Sequence, residues 1–320
     1  MGKTTFIMIG AAILDVLAKP VNLSAFRGDS IPAETLTTNT GGDAMNEART
    51  LAALGAKVRL VSKLGEDAAG EMILGRCRDL GIDTEFIRRS AEIPTGVNIV
   101  LIDEAGARRF ITNPHGTLRQ FYPEDIPREA LEGGKILCFA SIFVAPAFTA
   151  PVLAELFSQA KQKGLLLCAD MTKRKNQETV WDMRECLQWL DYIFPNYEEA
   201  SLLTGRSDWD EIADAFLECG VGHVVIKAGA RGCFIKSRTE RLWVPACRGV
   251  RCVDTTGAGD TFSACFLYAL DQGYSLEDCG RFANAGASFC IQQVGAVGAG
   301  NDPEAVRKRA GLQGTEPTCV

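Results

Sequence analysis

Short apolar runs and longer amphipathic stretches alternate along most of this chain. Nearly all-apolar runs at 5–10, 58–62, 136–141, 165–170, 192–195 and 223–228 predict β-strands. Stretches at 43–54, 67–80, 146–162, 197–204 and 209–219 carry apolar residues three and four apart and predict helices. Strands apolar on both faces belong in a parallel sheet covered on both sides, so the alternation predicts an α/β fold. After residue 229 the pattern changes to a meander at 233–235 and 242–244, followed by two long helices from about residues 257 and 275. Segments 13–40 and 86–112 contain short strand-like runs without helices, as in Gly96-Val97-Asn98-Ile99-Val100-Leu101 and Arg109-Phe110-Ile111-Thr112. They predict a small β-sheet lid beside a core made of 1–12, 41–85 and 113–310, with a frayed polar tail at 311–320.

Composition narrows the class. The 320 residues, 47 % hydrophobic and 23 % charged, suit one large α/β domain. The net charge is −6, the pI is about 5.2 and no Lys/Arg run stands out, which argues against nucleic acid as a partner. No apolar run reaches the length of a membrane span. Twelve cysteines without a C-x-x-C pair, and only two histidines, argue against structural zinc. The cysteines sit mostly in apolar runs and read as reduced core residues of a cytoplasmic protein. The first apolar run is too short for a signal peptide. Gly2-Lys3-Thr4 imitates the end of a P-loop, but no upstream glycine and strand precede it.

Chemistry concentrates at Asp254-Thr255-Thr256-Gly257-Ala258-Gly259-Asp260. The apolar pattern of a helix begins just after, at Phe262, Cys265, Phe266 and Ala269. A helix start with small residues presents unpaired N–H groups to an anion. Asp260 would repel a phosphate there, so its retention points to a general base. The first strand ends at Gly10 and Asp15 follows five residues later, beyond the strand's C-terminal end, where an open α/β sheet binds its ligands. Gly41 and Gly42 open a helix bearing Asn46; Asp43 reads equally as helix cap or ligand group. Asn196 and Glu199 share one face at a helix start, a spacing that also fits a capping box. Lys227-Ala228-Gly229-Ala230-Arg231-Gly232 joins two strands, as a plain hairpin would.

Together, in this order, these motifs resemble the ribokinase-like, or phosphofructokinase B, sugar kinase family over roughly residues 5–300. The resemblance implies a three-layer α/β/α core, a mostly parallel sheet and a β lid. It implies a carbohydrate kinase using ATP and Mg²⁺ to phosphorylate a primary hydroxyl of a sugar or sugar-derived molecule. Asp260 would be the base and Gly257, Ala258 and Gly259 the anion hole. Asp15, Gly41, Gly42, Asn46, Asn98 and His115 would meet the sugar. Asn196, Lys227, Gly229, Gly232 and Asn284 would hold the nucleotide. Glu199 would hold Mg²⁺ through water, and Asp254 would serve a K⁺ site. The lid would also be the surface of a homodimer. Two departures bear on substrate choice: Asp170-Met171-Thr172-Lys173-Arg174 stands where relatives carry Asp-x-Asn-x-Arg, and Asn113-Pro114-His115 where they carry Gly-Ala-Asn. Lys173 could reach the phosphates as a point charge. A nucleoside kinase of the same fold and a non-catalytic sugar-binding regulator are the alternatives.

Overall fold

The computed structural model describes residues 5–22, 32–104, 108–293 and 302–312. The P-loop-like start and most of the expected tail lie outside these residues. Elements are numbered in chain order. The large sheet contains β1 (Thr5–Gly10), β4 (Lys57–Gly65), β5 (Ile87–Ser90), β8 (Ile136–Ile142), β9 (Leu166–Met171) and β10 (Tyr192–Phe194). It is completed by β11 (His223–Lys227), β12 (Cys233–Ser237) and β13 (Arg241–Val244). Its nine strands run in the order β13-β12-β11-β10-β9-β8-β1-β4-β5. Every pair from β11 to β5 is parallel, whereas β12 pairs antiparallel with both β11 and β13.

Alternation along β1 sorts the core into two layers. Phe6 and Met8 pack with Met45 and Leu51 of α1 (Asp43–Ala53), Ile73 of α2 (Ala68–Asp79), Phe266 of α7 (Ala258–Asp271) and Phe282 of α8 (Leu276–Cys290). Val306 of α9 (Pro303–Ala310) joins this layer. Ile7 and Ile9 face the opposite layer, with Phe157 of α3 (Ala150–Gln162), Leu187 of α4 (Arg184–Leu187), Leu203 of α5 (Tyr197–Thr204) and Phe216 of α6 (Trp209–Glu218). Each such side chain, taken fully out of water, contributes about 1.5–3 kcal/mol. The cysteines among the described residues are free thiols, most of them buried in these layers.

The small sheet holds β2 (Ile13–Val21), β3 (Ala33–Gly41), β6 (Val97–Ile102) and β7 (Arg108–Thr112), in the order β3-β2-β6-β7. Its strands lie in the two segments expected to form a small sheet, with β3 running one residue further, to Gly41. Ile87–Ser90 was expected in the lid but pairs with β4 in the large sheet. The mixed run Ile87-Arg88-Arg89-Ser90 has one buried apolar residue, Ile87, so its polarity concealed an edge strand. The helix expected from 146 begins at Ala150, after Thr149, and helices α4 and α9 were not expected.

Candidate active site

The large sheet delivers functional side chains at the C-terminal ends of its parallel strands. Ser141 is near the end of β8, Asp170 is at the end of β9, Asn196 follows β10 and Lys227 closes β11. With Asp43, Glu199, Gly259 and Asp260 they line a cleft of about 310 Å³. Asn196, Lys227 and Gly229 also line a neighbouring open cleft of about 530 Å³. The expected nucleotide groups Asn196, Lys227 and Gly229 therefore stand at the junction of two spaces, one of which holds the expected base.

Gly257 caps α7 in the left-handed conformation, φ 71°. The intrahelical ladder starts with Thr261 N–H to the Gly257 carbonyl at 2.9 Å, so the turn before it presents the helix's positive end to the cleft. A Cβ on Gly259 would lie 3.4 Å from Lys227 Nζ, which places the lysine beside this turn. The left-handed position of the turn is Gly257; Gly259 has no positive φ. Asp254 is buried, and its Oδ1 accepts the Thr256 N–H at 2.8 Å, which pins the approach to the turn.

Asp260 lies in the first turn of α7, half-buried at the cleft wall. Asn46 Nδ2 donates to its Oδ2 at 2.7 Å across a separation of 214 residues. Burial, then the charge of Asp43, pushes its carboxyl up to about 8, against the opposing pull of Asn46 and Lys227. Lys227 donates to Asp170 Oδ2 at 2.6 Å, and Ser263 Oγ donates to the same oxygen at 2.8 Å. Burial also pushes Glu199 up, to about 7. Asn196 and Glu199 form a reciprocal capping box, each side chain accepting the other's N–H at 2.9 Å. The capping reading holds, and the same half-buried carboxylate also lines the cleft.

Gly42, at φ 90°, is the N-cap of α1, and Asp43 follows it without capping. The cap reading of Asp43 is thereby corrected. Its carboxylate instead accepts the Ser141 hydroxyl. Ser141 and Phe143 are the positive-φ non-glycine residues among those described, at φ 65° and 76°. Strain of this kind marks sites where geometry matters more than local stability.

On the lid, Asp15 pairs across strands with Asn39 and Asn98, and Asn98 with Thr112. The four polar residues form one row over four strands. Asn98 Nδ2 donates to Asp15 Oδ1 at 3.2 Å. Burial, and secondarily the charge of Asp43, pushes the Asp15 carboxyl up. A Cβ on Gly41 would sit 2.1 Å from Asp15 Oδ2, so the glycine exists to admit that carboxylate.

Three expected residues stand apart. His115 is exposed and lines neither cleft; its backbone N–H bonds Asn113 Oδ1 at 2.9 Å. Asn284 is buried in α8, its amide donating to the Val244 and Pro245 carbonyls at 3.2 Å. Gly232, at φ 98°, packs so closely that a Cβ would lie 2.0 Å from the Val244 carbonyl oxygen. Lys173 is drawn off to Glu198 at 2.8 Å on the surface, so the cation in the cleft is Lys227. Sequence reasoning gave no role to Ser141 or Asp170. Asp170 carried a signal, a carboxylate ending a buried parallel strand. Ser141 carried none.

Residues 3–302 match the family model of the pfkB family carbohydrate kinases. Ribokinase of Arabidopsis thaliana is 31 % identical over 314 residues, covering 94 % of this chain and 80 % of that protein. A 2-dehydro-3-deoxygluconokinase of Bacillus subtilis is 28 % identical over 271 residues, covering 82 % and 83 %. The structure of Arabidopsis thaliana ribokinase complexed with ribose and ATP superposes with a TM-score of 0.82 at 28 % identity, covering 97 % of this chain and 99 % of that one.

Proposed function

Since the chain belongs to the pfkB family of carbohydrate kinases, we propose that it transfers the γ-phosphoryl group of ATP to a primary hydroxyl of a sugar or sugar-derived small molecule. The observation that carries this reading is the placement of Asp260. It stands in the first turn of α7, beside a glycine turn and Lys227, in a cleft shared with Asn196 and Glu199. In the proposed step Asp260 takes the proton of the acceptor hydroxyl. The hydroxyl oxygen forms its bond to the γ-phosphorus as the bond to the bridging oxygen breaks, and ADP leaves. The raised proton affinity of Asp260 suits a base, provided it is ionised when the hydroxyl arrives. The N–H groups of Gly257 and Gly259, with Lys227, stabilise charge on the transferring group, joined by that of Ala258 once it leaves the Thr255 carbonyl, to which it donates at 3.2 Å. Asp15 and Asn98 grip sugar hydroxyls from the lid, with Gly41 and Gly42 making room.

The charge balance of the cleft fits a divalent cation. Asp43, Asp170, Glu199 and Asp260 face Lys227 as the cation lining this cleft. Glu199 would hold Mg²⁺ through water, as this ion keeps most of its hydration shell. Bound there with ATP, Mg²⁺ supplies neutralisation of phosphate charge. The buried Asp254 carboxylate is the expected side-chain partner of K⁺. Ile99, Ile111 and Leu36 are exposed on the lid face opposite Asp15, an apolar patch suited to a second copy of the chain.

The test is a phosphorylation screen of the purified protein with ATP and Mg²⁺ across aldoses, ketoses, sugar acids and nucleosides, read as ADP release and product mass. A sugar or sugar acid gaining one phosphate supports the reading. Turnover confined to nucleosides moves it to a nucleoside kinase. Sugar binding without turnover at any pH replaces it with a regulator.

A further inference from the structure

Asn46 and Arg49 lie one turn apart on α1, and each is only 6 % exposed. Arg49 Nη2 donates to Asn46 Oδ1 at 3.2 Å, and Nη1 reaches the Thr40 carbonyl at 3.5 Å. The other end of the same Asn46 amide donates to Asp260. A guanidinium carries donors only, and a carboxylate accepts. The amide between them therefore has one favourable way round, oxygen toward Arg49 and nitrogen toward Asp260. The reverse rotamer sets N–H against N–H at one end and oxygen against carboxylate at the other.

We propose that Arg49 is a positioning residue for the reaction: by fixing the amide of Asn46, it keeps an N–H donor on Asp260 Oδ2 and holds that carboxyl group in one orientation. The proposal rests on the reading of Asp260 as the base. Packing does not explain Arg49. Its Nε is buried without a hydrogen-bond partner, a cost that an apolar side chain of similar length would avoid. The groups around Asp260 show why such a grip matters. Asp43 from α1 and Asp170 from β9 oppose its ionisation, as does burial, while Lys227 from β11 and the Asn46 amide favour it. Glu47, the neighbour of Asn46, is fully buried and feels the charges of Asp170 and Asp260. Arg49 is drawn to the charge of Asp260 and repelled by Arg76 of α2. The amide donor thus works against two carboxylates, and Arg49 keeps that donor in place.

The test compares Arg49→Met, which keeps length without donors, with Arg49→Lys, which keeps charge and donors. The first readout needs no substrate: ¹³C-carboxyl NMR titration of Asp260 in the ligand-free full chain, assigned by difference against Asp260→Asn. The second is the pH profile of kcat with the sugar found by the screen. In Arg49→Met the Asp260 midpoint is expected to rise by about one unit, since a hydrogen bond to a charged group is lost. The rate at pH 7 should fall about tenfold and return at higher pH, with KM for ATP unchanged. Arg49→Lys should stay near the parent protein. Should Arg49→Met be too unstable to titrate, Arg49→Gln replaces it. Its amide is neutral and reversible end for end, so an upward shift is again expected. A midpoint and profile superimposable on the parent's in Arg49→Met, or in Arg49→Gln where that replaces it, overturn the proposal even if stability drops. If no sugar is phosphorylated at all, the kinase reading fails, while the NMR midpoint still decides whether Arg49 governs Asp260.

Discussion

Gly41→Ala tests the proposed sugar grip of Asp15 apart from the proposed nucleotide groups. Gly41 is the last residue of β3 and has no positive φ, so an alanine backbone is unstrained there. The new Cβ would lie 2.1 Å from Asp15 Oδ2 and 3.0 Å from its Cγ. Restoring an ordinary contact requires the carboxylate to retreat by roughly 1 Å or more. That movement breaks the 3.2 Å bond from Asn98 and takes Asp15 off the hydroxyls it would hold. Each charge-assisted hydrogen bond is worth about 1.5–3 kcal/mol, so losing one weakens the sugar roughly 10–150-fold. ATP affinity should stay within about threefold, because the nucleotide groups are elsewhere. Calorimetry of sugar and of ATP, with thermal unfolding on the same preparation, gives the comparison. In an Asp15→Ala background the alanine at 41 should add little, since its target is already gone. A folded Gly41→Ala protein with the parent's sugar affinity would refute the argument, and with it Asp15 as the sugar's anchor.

Further expectations concern the base, the cation and the lid. Asp260→Asn should cut kcat by about 10²–10⁴ with both substrates still bound, as rapid-quench and calorimetry would show. Burial sets Asp260 near 8 in the free protein, and only the ionised form accepts a proton, so kcat/KM should climb as pH rises through that value; a profile flat between about pH 6 and 9 contradicts the assignment. Lys227→Met leaves Asp170, 4 % exposed at its side chain, buried without its cation; denaturant unfolding should show a loss of about 3–5 kcal/mol, together with weaker ATP binding. Ile111→Lys tests the proposed dimer surface: sedimentation velocity should show the parent as a dimer and the variant as a monomer, with the Asp260 titration unchanged, and a monomeric parent would refute the surface.

Much of the fold was legible because buried parallel strands are written as unbroken apolar runs, and β1, β8 and β9 are such runs. Elements stabilised from outside their own pattern were not. In β5 only Ile87 is buried, and α9 has Val306 as its buried residue amid charged neighbours. The glycine turn and Asp260 were legible because local chemistry demands that order. The surroundings of Asp260 were not, since its bond to Asn46 spans 214 residues. Arg49 and Glu47 show the same limit: they are charged residues of α1 whose burial depends on what α7 brings to them. Asn284 and Gly232 carried motif positions whose described contacts are backbone packing.

The two joints of the lid have a consequence for how such a protein can diversify. β1 ends at Gly10 and β2 begins at Ile13, while β3 ends at Gly41 and Gly42 already caps α1. Added Cβ atoms would lie 2.7 Å from the Ala140 oxygen at Gly10 and 2.5 Å from the Ala11 oxygen at Gly42. Neither joint has spare length or spare volume, and the second feeds directly into the helix bearing Asn46 and Arg49. Insertions or deletions there would be read at the base. A change of length is therefore excluded at the inner edge of the small sheet, which stays in register with the residue proposed as the base, and diversification at these joints is left to side chains alone.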